Sequence, residues 1–127
     1  MSERDGFSAV GRLRSFRYAL RGVRTMLVSQ HNAWIHAVAT FAACGAGLLL
    51  GLSTLEWCAI VLAIVGVWTA EALNTALEFL CDVASPEFHP LVEKAKDVAA
   101  GAVVIAALGA VVIGVLVLGP PLLRLLG

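Results

Sequence analysis

Long apolar stretches alternate with short polar segments along the chain, and this pattern predicts three membrane-spanning helices. The stretches cover residues 33–52, 57–70 and 98–118, and none of them contains Asp, Glu, Lys or Arg. A helix needs about 20 residues to cross the hydrocarbon core of a bilayer. The second stretch reaches that length only if its helix continues through the polar segment AEALNTALEFLCD. Helices are expected because a bilayer offers no partners for unpaired backbone groups.

We therefore predict an all-α membrane protein in which residues 1–127 form a single domain. The predicted spans lie at about 31–52, 56–84 and 95–118. Proline is expected to end helices. The prolines of this chain fall at span ends or in connections: Pro86, Pro90, Pro120 and Pro121.

The segment before the first span, at about residues 8–29, predicts an amphipathic helix. At about 100° per residue, its apolar side chains share one face. These are Leu13, Phe16, Leu20, Val23 and Leu27, and the neighbouring sector carries Arg14, Arg17, Arg21 and Arg24. Such a helix is suited to lie on the membrane surface with its arginines near phosphate headgroups. The alternative is that this arm only anchors the topology of the chain.

Composition and charge then set the class and the orientation. The chain has 127 residues, of which 60% are hydrophobic, and this content exceeds what a soluble domain carries. Eight of the nine Lys and Arg residues lie in the N-terminal arm or in residues 85–97. The positive-inside rule therefore predicts that both segments are cytoplasmic. The first residues, MSERDG, lack the apolar core of a signal peptide. We expect no nucleic-acid partner.

A polar stripe on the second span is the main candidate for a functional site. Glu71, Asn74, Glu78 and Asp82 fall within a sector about 80° wide on a helix. Ionisable residues inside a membrane are costly and mark functional sites. Asp82 and Glu78 could instead simply reach interfacial water, an explanation that suits Glu71 poorly. The connection that follows adds further charged residues, namely Glu87, His89, Glu93, Lys94, Lys96 and Asp97.

Carboxylates, an amide and lysines at one interface are the groups that metal-assisted phosphoryl transfer requires. Carboxylates hold Mg²⁺, lysines neutralise phosphate charge, and a further carboxylate can receive the proton of an acceptor hydroxyl. The same residues also fit a cation channel or a proton-coupled transporter. The lysines favour phosphate chemistry. So does the location of the charged residues, which lie at the cytoplasmic interface and do not continue across the membrane. The chain has no GxxxxGK[ST] or GxGxxG motif, so a nucleotide would be held by another arrangement.

Three segments resemble the prokaryotic diacylglycerol kinase family, which includes the bacterial undecaprenol kinases. They are EALNTALE at 71–78, CDVASPEFHPL at 81–91 and KAKDVAAGAV at 94–103. The resemblance covers nearly the whole chain and implies an ATP-dependent, Mg²⁺-requiring lipid kinase of the bacterial cytoplasmic (inner) membrane. It also implies a homotrimer with composite active sites between neighbours. The expected acceptor is undecaprenol or diacylglycerol, giving undecaprenyl phosphate or phosphatidic acid, and the segments HPL and KDVAAGAV look more like the undecaprenol branch.

The resemblance also assigns roles to individual residues. Glu71 matches the family's proposed general base, and Glu78 matches a metal ligand. Tyr18 matches a region that closes over the site. The remaining matches lie around ATP: Asn74, Asp82, Lys96 and Asp97 near the phosphates, and Glu87, His89 and Lys94 elsewhere near the nucleotide.

The chain departs from the family pattern at Gln30. Family members commonly carry a metal-binding glutamate there, in a context resembling ERNxxxH, whereas this chain reads QHNAWIH. A glutamine oxygen can still ligate Mg²⁺ but brings no charge, so we expect either weaker metal binding or a site held mostly by Glu78 and the phosphates. His31 and His36 are about 140° apart on a helix and are not expected to share a metal. The alternative is a non-catalytic or transporter-like bundle in which Gln30 marks lost activity.

Overall fold

Four helices make up the computed structural model, which describes residues 8–127. They are α1 (Ala9–Ser29), α2 (His31–Leu50), α3 (Thr54–Ala84) and α4 (Pro90–Leu126). The all-helical architecture predicted from the sequence is confirmed. The helices α2, α3 and α4 are each long and apolar enough to cross a membrane. The ends of α2 and the start of α3 lie close to the predicted bounds.

Local signals at residues 51–56 separate α2 from α3. Gly51 caps α2 in the left-handed conformation, with φ 68°, which glycine adopts at little cost. Ser53 then caps α3, and its hydroxyl accepts a hydrogen bond from the Glu56 amide at 3.2 Å. The Glu56 carboxylate accepts one from the Ser53 amide at 3.1 Å. This reciprocal capping box fixes where the second span begins.

The helix α4 begins earlier than the sequence predicted. Its first residue is Pro90, and the Nδ1 atom of His89 accepts a hydrogen bond from the Leu91 amide at 3.2 Å. Proline is well suited to the first turn of a helix because its missing amide would be unpaired there. Lys94 and Lys96, expected in a connection, therefore lie on the first turns of α4.

The same helix also ends later than predicted, because it continues through Pro120 and Pro121 to Leu126. The expectation that these two prolines end the third span was wrong. Each proline removes one backbone hydrogen bond but keeps a helical φ, and the following segment, LLRLL, remains favourable for a helix. The apolar helix is thus longer than the predicted span.

The helices form a loosely packed bundle around few buried residues. The helices α3 and α4, joined by residues 85–89, share the most extensive interface, and α2 contacts both. The helix α1 packs against α2 and α3. The buried apolar side chains are Met26, Ala33, Ile60, Val67, Cys81 and Val103. Most other apolar side chains on the spans are exposed, and Leu49 is 90% exposed. Lipid or other protein chains would have to cover such surfaces.

The helix α1 exposes its large apolar side chains, including Leu13, Phe16 and Leu20. Its only buried residue is Met26, near the C-terminal end. A helix is present over Ala9–Ser29, whereas its amphipathic character stays a prediction. Its binding to a membrane surface stays a prediction, as does the homotrimer.

Candidate active site

Glu71 is the most deeply buried polar side chain in the described part of the chain, with 0% of its surface exposed. Its Oε2 atom lies 3.2 Å from Nε2 of His36 on α2. Its Oε1 atom is also buried, and no group within residues 8–127 forms a hydrogen bond to it. Buried polar atoms nearly always have partners, so an oxygen left without one calls for an explanation.

His36 is held in place by contacts from both α2 and α3. The indole of Trp68 donates a hydrogen bond to the Thr40 hydroxyl at 2.9 Å. The same hydroxyl donates to the backbone carbonyl of His36 at 2.7 Å. The rings of His36 and Trp68 meet edge to face, with centroids 6.0 Å apart. Trp68 thus contacts the imidazole itself, and Thr40 ties the backbone of His36 to the Trp68 indole.

Sequence reasoning missed the contact between His36 and Glu71. It considered His36 only as a metal ligand together with His31. One signal was available: each of these two apolar helices carries an ionisable side chain well inside its apolar segment. Polar groups buried in neighbouring membrane helices tend to pair with each other.

Glu78 lies on the same face of α3 and accepts hydrogen bonds from two amides. Gln30 Nε2 donates to its Oε2 atom at 3.1 Å. Asn74 Nδ2 donates to its Oε1 atom at 3.2 Å. Gln30 occupies the extended break between α1 and α2, with φ −109° and ψ 124°, and this break turns its side chain toward α3. The structure thus joins the two residues that the sequence assigned to the metal.

The groups around Glu78 fit a Mg²⁺ ion. Mg²⁺ prefers oxygen ligands and usually takes one or two carboxylates together with phosphates and water. Glu78 supplies a carboxylate, and the side-chain oxygen of Asn74 is buried without a hydrogen-bond partner in residues 8–127. The same residues contain no group of three or more His, Cys, Asp or Glu that could hold a metal. Glu78 and the Asn74 oxygen are therefore candidate Mg²⁺ ligands.

A polar cavity of about 440 Å³ lies where α3 and α4 meet the connection between them. Four residues that the resemblance assigned to ATP line it: Asp82, Glu87, His89 and Lys96. The ammonium group of Lys96 forms an ion pair with Asp82 Oδ1 at 3.0 Å. Both side chains are partly exposed, so a phosphate group could reach the lysine. The helix break at residues 85–89 thus brings these four residues together.

Four residues assigned to ATP lie outside that cavity, and one of them, Asn74, contacts Glu78 instead. Tyr18 borders a separate space of about 500 Å³ between α1 and α3, and its ring lies 5.6 Å from the Arg21 guanidinium carbon. Lys94 and Asp97 are exposed on α4 and do not line the cavity. At about 100° per residue, Lys94 points roughly 200° away from Lys96. The two lysines therefore lie on different faces of α4.

Comparison with known proteins gives a consistent result. The family model for prokaryotic diacylglycerol kinase matches residues 17–118, a range that contains every site residue described above. An undecaprenol kinase of Bacillus subtilis is 38% identical over 123 residues, which cover 96% of this chain and 100% of the relative. A diacylglycerol kinase of Synechocystis sp. is 42% identical over 113 residues, which cover 88% of this chain and 65% of the relative. The chain belongs to the prokaryotic diacylglycerol kinase family and is a membrane lipid kinase.

Proposed function

We propose that the protein transfers the γ-phosphoryl group of ATP to the primary hydroxyl of undecaprenol or diacylglycerol at the cytoplasmic face of the membrane. The observation that carries this proposal is the fully buried Glu71, whose Oε1 atom has no partner among the described residues. The similarity of the chain to an undecaprenol kinase and to a diacylglycerol kinase supports these two acceptors.

Glu71 acts as the general base in this proposal. A base must lie within hydrogen-bond reach of the proton that it removes. Oε2 is occupied by His36, whereas Oε1 is free to accept the hydroxyl proton of the lipid. Because Glu71 is fully enclosed in the protomer, a group that covers it must move before the hydroxyl arrives.

Glu78, Gln30 and Asn74 would hold Mg²⁺. When bound there, the ion would neutralise charge on the nucleotide phosphates and orient them. The two amides now donate to the Glu78 carboxylate, and each amide also carries an oxygen that can serve as a ligand. Only Glu78 contributes negative charge, which supports weaker Mg²⁺ binding than two carboxylates would give.

The cavity at the start of α4 would take the phosphates of ATP. Lys96 lies at its wall and can neutralise phosphate charge, while Asp82 fixes the lysine by an ion pair. His89 and Glu87 border the same space. Its location beside the end of α3 brings it next to the interface at which a lipid hydroxyl is presented.

We further infer a homotrimer in which neighbours complete each site. Lys94 and Asp97 are exposed and lie away from the cavity of their own protomer, which suits contact with a neighbour's nucleotide. The extensive exposed apolar surface of the spans supports contact between copies as well as with lipid. We also infer that α1 lies on the cytoplasmic leaflet, with Tyr18 near the nucleotide.

The test is phosphate transfer from labelled ATP in mixed micelles that contain either undecaprenol or diacylglycerol. We expect Mg²⁺-dependent labelling of at least one of the two lipids. The ratio of kcat/KM for the two acceptors then identifies the preferred one. Folded protein that labels neither lipid would contradict the proposed acceptors.

A further inference from the structure

We propose that His36 is a positioning residue for Glu71. Its Nε2–H group donates a hydrogen bond to Oε2, and this contact aims Oε1 at the hydroxyl of the lipid. The inference rests on the proposed role of Glu71 as the general base. It adds a residue from α2 to a site whose carboxylates come from α3.

The direction of this hydrogen bond follows from the chemistry of the two groups. An ionised carboxylate only accepts hydrogen bonds, so a bond to Glu71 requires a proton on Nε2 of His36. The second carboxylate oxygen keeps its lone pairs free of protein donors within residues 8–127. The two oxygens therefore differ, and only Oε1 is available to take a proton from a substrate.

Contacts from Trp68 and Thr40 restrict His36, at its ring and at its backbone respectively. Thr40 lies one turn further along α2 and links the His36 carbonyl to the indole of Trp68 on α3. The Trp68 ring also contacts the imidazole edge to face. A general base gains its effect from correct placement, and a displacement of about 1 Å can cost about 100-fold in rate.

A purely structural role would give different consequences. In that case His36 would only provide a partner for a buried carboxylate, and its replacement would lower stability. The turnover of the protein that remained folded would then be unchanged. A positioning role instead predicts a lower kcat in folded protein, with the KM values for ATP and lipid close to those of the wild type.

Two substitutions at position 36 separate these roles. His36→Phe keeps an aromatic ring against Trp68 but removes the donor, and we expect its kcat to fall by about 100-fold. His36→Gln keeps an N–H donor and is expected to recover most of that loss. His31→Phe, the same substitution at an exposed histidine on α2, serves as the matched control and should retain wild-type kcat. Thermal unfolding and size-exclusion elution in detergent establish the folded fraction of each variant.

A second comparison keeps the test decisive if His36→Phe fails to fold. His36→Asn retains an amide but is one methylene shorter than His36→Gln, so its donor is withdrawn from Glu71. The positioning role predicts that kcat decreases from the wild type to His36→Gln and decreases further in His36→Asn. In a Glu71→Asp background, which already misplaces the carboxylate, replacement of His36 should cost much less than in the wild type.

Several results would overturn the proposal. The first is a wild-type kcat in folded His36→Phe, and the second is an equal loss of kcat in His36→Gln and His36→Asn. The third is that the kcat losses from replacing His36 and from Glu71→Asp are fully additive. Absence of lipid phosphorylation by the wild-type protein would be a different failure. It would remove the proposed function itself, and the role of His36 along with it.

Discussion

Glu71 and Glu78 lie on one face of α3, and their partners give them different chemistry. Glu71 is enclosed and contacts one imidazole, which leaves an oxygen free to take a proton. Glu78 is bound by two side-chain amides, whose oxygens can join its carboxylate around a metal. The proposed roles of base for Glu71 and metal ligand for Glu78 rest on these different partners.

Glu71→Gln tests the role of the base directly. Glutamine has nearly the same shape and can still accept a hydrogen bond from His36, so the fold should be retained. It is not basic, and we expect turnover to fall by at least about 100-fold. Binding of ATP with Mg²⁺, measured by equilibrium dialysis in detergent, should remain close to that of the wild type. Loss of nucleotide binding would instead assign Glu71 to the metal or nucleotide site.

Gln30→Glu tests whether position 30 contributes to the metal site. The substitution would place a second carboxylate against Glu78, at a position where the amide now donates at 3.1 Å. We expect a lower Mg²⁺ concentration for half-maximal activity, because a second negative charge strengthens cation binding. Asn32→Asp adds the same charge at an exposed position on the first turn of α2 and serves as the control. An unchanged Mg²⁺ requirement in Gln30→Glu, or an equal change in the control, would show that position 30 is not a ligand.

Sequence reasoning identified the candidate carboxylates of α3 because ionisable residues stand out in an apolar span. It could not find their partners. His36 and Glu71 are 35 positions apart, and Gln30 and Glu78 are 48 apart, so the contacts depend on how the helices pack. Gln30 was assigned through the family resemblance, whereas His36 matched no role and was missed.

At the scale of the elements, helix ends determine what the site contains. The break at Gln30 turns an amide toward Glu78, and the break at residues 85–89 forms the wall of the polar cavity. The apolar pattern predicted three spans, but it misplaced both ends of α4. The first turns of α4 are polar, so the apolar pattern does not include them in a membrane span. The prolines near its end are compatible with a continuing helix.

Gly47→Ala tests the close packing between α2 and α3 at the end opposite the site. A Cβ atom at position 47 would lie 2.7 Å from the Trp57 ring and 3.0 Å from the Leu52 side chain. We expect the free energy of unfolding to fall by about 1–3 kcal/mol, because the ring must move to relieve the overlap. Gly45→Ala lies on the same helix with no atom within 4 Å of the added carbon and should not lower stability, because Ala is favoured over Gly inside a helix. Thermal unfolding in detergent measures both variants, and equal midpoints would contradict the packing argument.

At the scale of the whole molecule, the residues assigned to ATP do not all line one cavity. Gln30 contacts Glu78, Glu71 contacts His36, and Lys96 lines the cavity, all within one chain. Lys94 and Asp97 lie on another surface. The membrane class and the order of the spans follow from the sequence alone, since apolar length determines both. The packing of copies against one another depends on shape and is not contained in that pattern.

Composite sites make a specific prediction for mixed assemblies. Glu71→Gln alters the proposed base between α2 and α3, whereas Asp97→Asn alters the surface that would face a neighbour. Each variant alone should be inactive. Random co-assembly of the two would place an intact Glu71 beside a neighbour's intact Asp97 in about a quarter of sites, so activity should return to about that fraction.

The matched control mixes two variants whose substitutions lie on the same helix. Glu71→Gln and Glu78→Gln both alter α3, so a site that receives its base and its metal ligand from the same helix cannot be restored by mixing them. Phosphate transfer is measured after the purified variants are unfolded together, mixed in equal amounts and refolded into detergent. Recovery in the first mixture and none in the second would establish that neighbouring protomers share each site. If both mixtures stay inactive while refolded wild-type protein is active, Asp97 acts within its own protomer. A neighbour would then not be needed for catalysis.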